Sequence, residues 1–190
     1  DDRQILKSYS LSIPVISVGT LTAGGTGKTP IVHFLAQWLK SEGCRPAIVM
    51  RGYGAQADLS KSHLVADESG SKLSIEEAGD EATQLAQNLP GVPVRIGANR
   101  YQSGLRAIEE SQADILIMDD GFQHRKLVRN MDIVVVDALK PWGYGHVLPR
   151  GLLREKASGL KRADAVFITR SDMVTPAELA ADGSAEESEP

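Results

Sequence analysis

Several features that would point to particular classes of protein are scarce in the 190-residue sequence. Cys44 is the only cysteine, so no intrachain disulfide can form, and a reducing compartment fits best. No metal or nucleophile pattern surrounds Cys44, and we interpret it as a small buried hydrophobic residue. No apolar run approaches the ~18 residues that a membrane-spanning helix needs, and no secretory signal opens the sequence. The sequence as written therefore predicts a soluble chain.

An excess of positive charge is also lacking. Lys and Arg together number 21 against 25 Asp and Glu, for a formal net charge of −4. This balance argues against a general nucleic-acid binder with a basic surface, and we expect no nucleic-acid partner. Hydrophobic residues make up 42% of the chain, which suffices for one globular domain with a sizeable core.

Segments with strand and helix signals alternate along the chain, which is typical of βαβ units on a parallel sheet. A polar stretch at 55–79 is irregular, with a possible short strand at 63–66. The pattern predicts an α/β, P-loop NTPase-like fold with a mostly parallel sheet flanked by helices on both faces. Strands are expected at 13–18, 46–50, 92–97, 114–120, 132–138 and 163–169, and helices at 30–43, 80–89, 99–111 and about 152–161.

A glycine-rich loop, TAGGTGKT, separates the first strand from the first helix. Its end matches the phosphate-loop pattern G-x-x-x-x-G-K-[ST], although Thr22 stands where the first glycine belongs. Backbone N–H groups at such a loop and the helix N-terminus form an anion cradle, in which Lys28 reaches the β- and γ-phosphates and the Thr29 hydroxyl binds Mg²⁺. A glycine-rich turn without a ligand is the alternative. The predicted nucleotide-binding residues are Thr22, Ala23, Gly24, Gly25, Thr26, Gly27, Lys28 and Thr29.

Two adjacent carboxylates, Asp119 and Asp120, end the apolar run ILIMDD. Carboxylates at this position hold Mg²⁺ in nucleoside triphosphate enzymes, and a divalent cation relieves the repulsion between them. We predict that both bind the metal with Thr29. Ordinary acidic residues at a strand end are the alternative.

Six blocks of sequence together narrow the choice within this large superfamily. They are VGTLTAGGTGKTP (18–30), MRGYG (50–54), EEAGDE (76–81), DDGFQH (119–124), LPRGLLRE (148–155) and LKRADAVFIT (160–169). In this order they resemble the signature blocks of the tetraacyldisaccharide 4′-kinase family, the lipid A 4′-kinases of Gram-negative bacteria. The resemblance implies transfer of the γ-phosphate of ATP, with Mg²⁺, to the 4′-hydroxyl of a tetraacyldisaccharide 1-phosphate, yielding lipid IVA.

The resemblance also implies roles for single residues. Asp80 becomes the candidate proton acceptor, although it could instead cap a helix that begins at Glu81. His124 becomes a site residue that orients a phosphate, a carboxylate or the sugar, with a structural role as the alternative. Glu155 becomes a further metal carboxylate, or else an acid on a helix surface. Arg51 and Arg100 could each contact a phosphate or be solvated surface arginines.

The family resemblance further implies an N-terminal membrane-associating segment and a second C-terminal α/β domain, neither of which we recognise in these 190 residues. We therefore interpret residues 1–177 as the P-loop kinase domain and 178–190 as an acidic linker or disordered tail. Activity of this part alone is in doubt. In the full-length family we expect a membrane surface as a partner and a location at the cytoplasmic face of the bacterial inner membrane.

Two other interpretations stay open. The first is a regulatory GTPase of the metallochaperone or signal-recognition kind, supported by TRSD (169–172), which loosely matches the guanine-reading pattern N/T-K-x-D but carries Arg170 in place of lysine. The second is a nucleotide-binding fragment without enzymatic activity. A strong preference for GTP over ATP would favour the first.

Overall fold

The computed structural model describes residues 8–175 of the chain. The predicted tail at 178–190 lies outside the described residues. Within them, eight strands and four α-helices alternate, joined by short 3₁₀ helices at Gly143–Gly145, Ala157–Arg162 and Ser171–Met173. The elements in chain order are β1 (Val15–Gly19), α1 (Lys28–Ser41), β2 (Pro46–Met50), β3 (His63–Asp67), β4 (Gly70–Ser71), α2 (Ile75–Ala78), α3 (Asp80–Asn88), β5 (Val94–Ile96), α4 (Arg100–Ser111), β6 (Ile115–Asp119), β7 (Met131–Asp137) and β8 (Ala165–Thr169).

All eight strands form one sheet in the order β4-β3-β5-β2-β6-β1-β7-β8. The pairs from β5 across to β8 are parallel, while β3 pairs antiparallel with both β5 and β4. The chain thus forms the predicted mostly parallel α/β sheet, with a small antiparallel edge. Among the described residues, no helix is both long and apolar enough to cross a membrane.

Helices cover both faces of the sheet, as the run PAIVM illustrates. All five residues of β2 are buried, because its side chains alternate between two cores. Ile48 packs in the core under α1 and α3, whereas Val49 packs in the core under α4. A third, smaller cluster around Phe122 and Leu153 lies under the loop that follows β7.

Three expectations needed correction. The polar stretch 55–79 contains β3, β4 and α2 rather than a single possible strand. The expected helix at about 152–161 is a 3₁₀ helix at Ala157–Arg162. Asp80 does not cap a helix, because α3 begins at Asp80 itself and Gly79 occupies the N-cap position with φ 84° and ψ 156°. That backbone conformation suits glycine, which has no Cβ to clash.

The carboxyl ends of β1, β6 and β7 meet at one edge of the sheet, where such folds bind ligands. The loop after β7 returns over this edge, and its Leu152 carbonyl accepts a hydrogen bond from the Ala23 amide at 2.7 Å. The Arg154 amide donates to the Leu21 carbonyl, also at 2.7 Å. The phosphate loop is therefore joined to residues about 130 positions later in the chain.

Gly19 is the last residue of β1, and the structure leaves no room for a side chain there. A Cβ at this position would lie 2.6 Å from the Phe122 Cβ and 2.7 Å from the Phe122 amide nitrogen. We expect Gly19→Ala to lower the free energy of unfolding by about 1–3 kcal/mol, because overpacking displaces buried groups. Urea denaturation measures this change. Gly25→Ala is the matched control, since a Cβ at Gly25 meets nothing within 4 Å, and equal loss in both variants would contradict the explanation.

Candidate active site

The phosphate loop leads from β1 into α1 and presents free backbone donors. Gly24 and Gly27 both adopt positive φ, of 116° and 82°, which glycine permits at low cost. Within the described residues, the Thr26 amide bonds back to the Gly24 carbonyl at 3.0 Å, while no acceptor is recorded for the amides of Gly24, Gly25 and Gly27. Three N–H groups beside the start of a 14-residue helix are therefore available as donors, and the anion cradle that the sequence predicts stays a prediction.

Lys28 and Arg154 both approach Asp120. The Lys28 Nζ lies 3.7 Å from a carboxylate oxygen of Asp120, and the Arg154 Nη1 donates to both oxygens at 2.6 and 2.8 Å. Burial alone would raise the pKa of Asp120, but the hydrogen bonds from Arg154 and the charge of Lys28 outweigh it and lower this pKa. Asp120 is therefore ionised and already paired with two cations.

Asp119 lies beside this cluster at the end of β6 and is almost fully buried. Its Oδ1 has no hydrogen-bond partner among the described residues. Burial raises the pKa of Asp119 from 3.8 to about 6, with Lys28 opposing the change and Asp120 and Glu81 adding to it. An unpaired carboxylate oxygen under a phosphate loop suits a hydrated divalent cation, because buried polar groups otherwise find partners.

The raised pKa of Asp119 predicts a pH-dependent gain of stability from Asp119→Asn. The folded state favours the protonated carboxyl. Asp119 therefore lowers the free energy of unfolding least below about pH 4, where the carboxyl is protonated in the folded and unfolded states, and most above pH 6, where the buried carboxyl is ionised. We expect Asp119→Asn to raise the free energy of unfolding by about 1–2 kcal/mol at pH 8 and by little at pH 4. Denaturant melts with a metal chelator and no nucleotide measure both values. Equal effects at the two pH values would contradict the assigned pKa.

The Glu155 carboxylate is held by other side chains of the site. Both of its carboxylate oxygens accept hydrogen bonds from the Arg162 Nη2 at 2.8 Å. The Gln123 side chain joins Glu155 to the Thr20 carbonyl, with bonds of 3.1 and 2.9 Å. Within residues 8–175, no three His, Cys, Asp or Glu side chains lie close enough together to hold a metal. The shared metal-ligand set therefore stays a prediction for Thr29, Asp119, Asp120 and Glu155. In this part of the chain, arginine side chains bind Asp120 and Glu155 but not Thr29 or Asp119.

A cleft of about 370 Å³ opens next to Asp120 and is lined by Arg51, Arg100 and Arg154 with His124 and Gln123. Arg100 is only 4% exposed, so the alternative of a solvated surface residue is wrong for it. Burial and then the charge of Arg51 lower its pKa to about 10. Burial, and after it the positive charges of Arg100 and Arg129, lower the pKa of His124 to about 4. The imidazole is therefore neutral at pH 7. The cleft is cationic through its arginines and fits an anionic group.

Asp80 lies in a different cleft, exposed at the first turn of α3. This cleft of about 440 Å³ is also lined by Tyr53, Gly54, Glu76 and Glu81. Glu81 is nevertheless close enough to raise the pKa of Asp119, which places the start of α3 near the carboxylate pair. The structure thus brings His124, Asp120 and the phosphate loop together and leaves Asp80 at their border.

Sequence reasoning missed the partners that hold the site together. Arg162 was not singled out, although it binds Glu155 and lies 4.5 Å from the centre of the Phe122 ring. Asp137 was read only as part of a strand, although it pairs with Arg170 beside the phosphate loop. The Asp137–Arg170 pair joins the ends of two strands, and the Glu155–Arg162 pair depends on the 3₁₀ helix between the two residues. No sequence pattern marks either pair.

The fold and the phosphate loop define a P-loop nucleotide-binding protein of the α/β class. Within that class, residues 1–188 match the family model described as tetraacyldisaccharide-1-P 4′-kinase, and the chain belongs to this family. A tetraacyldisaccharide 4′-kinase from Syntrophus aciditrophicus is 48% identical over 169 residues, which cover 88% of this chain and 45% of the relative. The enzyme of the same name from Geobacter metallireducens is 49% identical over 166 residues, covering 87% and 49%.

One solved structure agrees with this assignment, and a second shares the fold. The structure of LpxK from Aquifex aeolicus in complex with ATP matches with a TM-score of 0.81 and 41% identity, over 88% of this chain and 51% of that one. The signal recognition particle receptor FtsY from Elizabethkingia anophelis matches with a TM-score of 0.52 at 16% identity, which shows the shared fold alone. The chain spans about half the length of the relatives it matches.

Proposed function

We propose that the chain carries the nucleotide-binding and phosphoryl-transfer site of an ATP-dependent tetraacyldisaccharide 4′-kinase. The reaction moves the γ-phosphate of ATP to the 4′-hydroxyl of a tetraacyldisaccharide 1-phosphate and yields lipid IVA. One observation carries the proposal: the free amides of the phosphate loop, Lys28 and the buried Asp119 converge beside an arginine-lined cleft.

ATP binds along the phosphate loop in this proposal. The amides of Gly24, Gly25 and Gly27 donate to phosphate oxygens, and Lys28 moves from Asp120 toward the β- and γ-phosphates. Arg154 stays on Asp120 and keeps that carboxylate paired. The nucleoside end occupies a second cleft of about 410 Å³, which Thr22–Thr26 line together with Leu139, Lys140 and Leu152. The relative from Aquifex aeolicus supports this ligand, because its structure contains ATP.

The residues present also fit Mg²⁺, and Thr29 and Asp119 would hold it, since no arginine among the described residues binds either side chain. A bound magnesium ion neutralises charge on the transferring phosphoryl group. The unpaired, buried oxygen of Asp119 and its raised pKa support this assignment, since both describe a carboxylate that gains from a cation. Asp120 and Glu155 would join the ligand set only by exchanging contacts with Arg154 and Arg162.

The acceptor sugar approaches from the cleft of Arg51, Arg100 and Arg154. These guanidinium groups compensate the charge of the phosphoryl group in transfer, because several are held in place before the substrate binds. The neutral His124 imidazole offers a hydrogen bond without adding charge. Asp80 takes the proton of the 4′-hydroxyl. This role requires the sugar to extend from the arginine-lined cleft to the neighbouring cleft at the start of α3, where Asp80 is exposed.

The substrate is an acylated lipid, so the reaction takes place at a membrane surface, which we place at the cytoplasmic face of the inner membrane of a Gram-negative bacterium. A nucleic acid is not a partner in this proposal. The family and the lipid nature of the named substrate support this setting.

The test is calorimetric titration of the chain with ATP and with GTP in the presence of Mg²⁺, followed by an assay of γ-phosphate transfer to tetraacyldisaccharide 1-phosphate. We expect binding of ATP and formation of lipid IVA. Folded protein that binds neither nucleotide would reject the proposal. A preference for GTP would favour the regulatory GTPase, and binding of ATP without transfer would favour a nucleotide-binding part that lacks unaided activity.

A further inference from the structure

The carboxyl end of β8 contacts the phosphate loop, although some 140 residues separate the two in the chain. The Thr169 hydroxyl donates to the Thr26 carbonyl at 2.8 Å. Arg170 donates to the Gly25 carbonyl at 3.3 Å and forms an ion pair with Asp137 at the end of β7. The Thr169 methyl also lies 3.0 Å from where a Cβ on Gly27 would be.

The Thr169 contact fixes a carbonyl whose peptide also carries a free donor of the loop. The Gly25 carbonyl held by Arg170 instead shares its peptide with the Thr26 N–H, which donates to the Gly24 carbonyl and so helps to define the turn of the loop. In a planar trans peptide the C=O and the next N–H point in opposite directions. The Thr26 carbonyl points toward the Thr169 hydroxyl, which donates to it. The Gly27 N–H of the same peptide therefore points away from Thr169. No acceptor for that N–H is recorded in the described part of the chain, so it is free for an anion.

Asp137 and Arg170 together hold the second carbonyl. Asp137 is 8% exposed and also accepts a hydrogen bond from the Leu139 amide at 3.1 Å. It therefore has a fixed position from which to orient the more exposed Arg170, which adopts the left-handed conformation with φ 56°. A non-glycine residue in that conformation indicates that the surrounding contacts define it.

We propose that Thr169, Arg170 and Asp137 are positioning residues that hold the phosphate loop in its binding conformation before a nucleotide arrives. The loop contains three glycines between Thr22 and Lys28, so ordering it during binding would cost conformational entropy. Contacts from the rigid sheet remove part of that cost in advance. This inference rests on the proposed binding of ATP. It also gives the TRSD segment a role other than reading guanine, since its first two residues face the loop backbone.

Thr169 offers the sharpest test, because its variants leave the charge unchanged. We expect Thr169→Val to weaken ATP binding about tenfold, the size of effect that follows from losing one hydrogen bond. Thr169→Ser keeps the hydroxyl and should retain the affinity of the parent chain. Calorimetry gives both dissociation constants. Hydrogen exchange of the amides at Gly24–Thr29 in the nucleotide-free protein should be faster in the Val variant and unchanged in the Ser variant.

Asp137→Asn separates positioning from direct attraction of the triphosphate. If Arg170 acted only through its charge, removing the neighbouring negative charge would tighten ATP binding. The positioning role predicts weaker binding together with faster hydrogen exchange of the Gly24–Thr29 amides in the nucleotide-free variant, because Arg170 loses its ionic partner. The exchange measurement is needed because Asp137 and Arg170 also line the cleft assigned to the nucleoside. Arg106→Ala is the matched control, since Arg106 is an exposed arginine in an ion pair with Glu110 on α4, and it should bind ATP as the parent does.

The outcomes distinguish this inference from the proposed function. A parent chain that fails to bind ATP would overturn both. A parent chain that binds ATP, together with a folded Thr169→Val variant of equal affinity and equal loop exchange, would overturn the positioning role alone. Tighter binding by Asp137→Asn would also overturn it, in favour of a purely electrostatic effect of Arg170.

Discussion

Replacing Asp80 by asparagine is expected to lower the turnover of phosphoryl transfer by about 10²- to 10⁴-fold, the range typical of a general base. Asparagine has nearly the same shape but does not accept the proton of the 4′-hydroxyl. The affinity for ATP should stay the same, because Asp80 lies outside the clefts next to the phosphate loop. Steady-state kinetics with the lipid acceptor and calorimetry with ATP measure the two effects.

The fold is expected to tolerate this change, since Asp80 makes no side-chain capping hydrogen bond in α3. Only its favourable interaction with the helix N-terminus is lost, at a cost of about 0.3–1 kcal/mol. Ser74→Ala serves as the control, because Ser74 and Glu77 form a true capping box at α2. That variant should lose about 1 kcal/mol of stability and keep its turnover. An Asp80→Asn enzyme with normal turnover would exclude Asp80 as the base.

The role of Asp80 also shows where sequence reasoning was limited. The GDE run contains an acidic residue before a helical pattern, and the preference for Asp at N-caps made capping the alternative role of Asp80. The structure gives the N-cap to Gly79 instead. This position requires glycine, because a Cβ there would lie 2.7 Å from the Tyr53 carbonyl oxygen. Such a close approach arises from two segments some 25 residues apart, so helix propensities did not reveal it.

The central strands were predictable because burial on both faces leaves a strong local signal. β6 and β7 are nearly continuous apolar runs ending in aspartate, and both lie in the middle of the parallel sheet near β1. β3 and β4 form the antiparallel edge, where burial is partial and the pairing with β5 contains an irregularity. The short apolar run at 64–66 indicated β3 as a possible strand. β4 consists only of Gly70 and Ser71, and its pairing with β3 alone defines it.

In the candidate site, too, local sequence patterns were predictable and contacts between separate segments were not. The phosphate loop and the two aspartates are local patterns that the sequence shows directly, and the structure places the Lys28 Nζ 3.7 Å from an oxygen of Asp120. The arginines that complete the site were harder to assign. Arg154 reaches Asp120 across 34 positions of sequence, and Arg162 binds Glu155 only because a 3₁₀ helix turns it back. Ion pairs of this kind depend on tertiary structure and have no sequence period.

Lys28→Ala is expected to weaken ATP binding by about 100-fold or more. Lys28 is the one residue of the phosphate loop that brings a full positive charge to the triphosphate, and hydrogen bonds to charged groups contribute about 1.5–3 kcal/mol each. The fold should remain intact, because Asp120 keeps both hydrogen bonds from Arg154. Calorimetry gives the affinity, and circular dichroism checks the fold. Lys40→Ala on the same helix is the control, since Lys40 binds the Pro90 carbonyl away from the loop.

The same substitution should leave a second signature that needs no nucleotide. Lys28 opposes the rise in the pKa of Asp119, so its removal should raise this pKa further above 6. The folded state would then favour the protonated carboxyl up to a higher pH, and the pH-dependent loss of stability that Asp119 causes would extend upward. Denaturant melts across pH 5–8 measure this effect in the Lys28→Ala variant and in the Lys28→Ala, Asp119→Asn double variant. The difference between the two variants gives the pH-dependent contribution of Asp119 to stability. Normal ATP affinity together with an unchanged pH profile would mean that Lys28 faces neither the triphosphate nor the buried carboxylate.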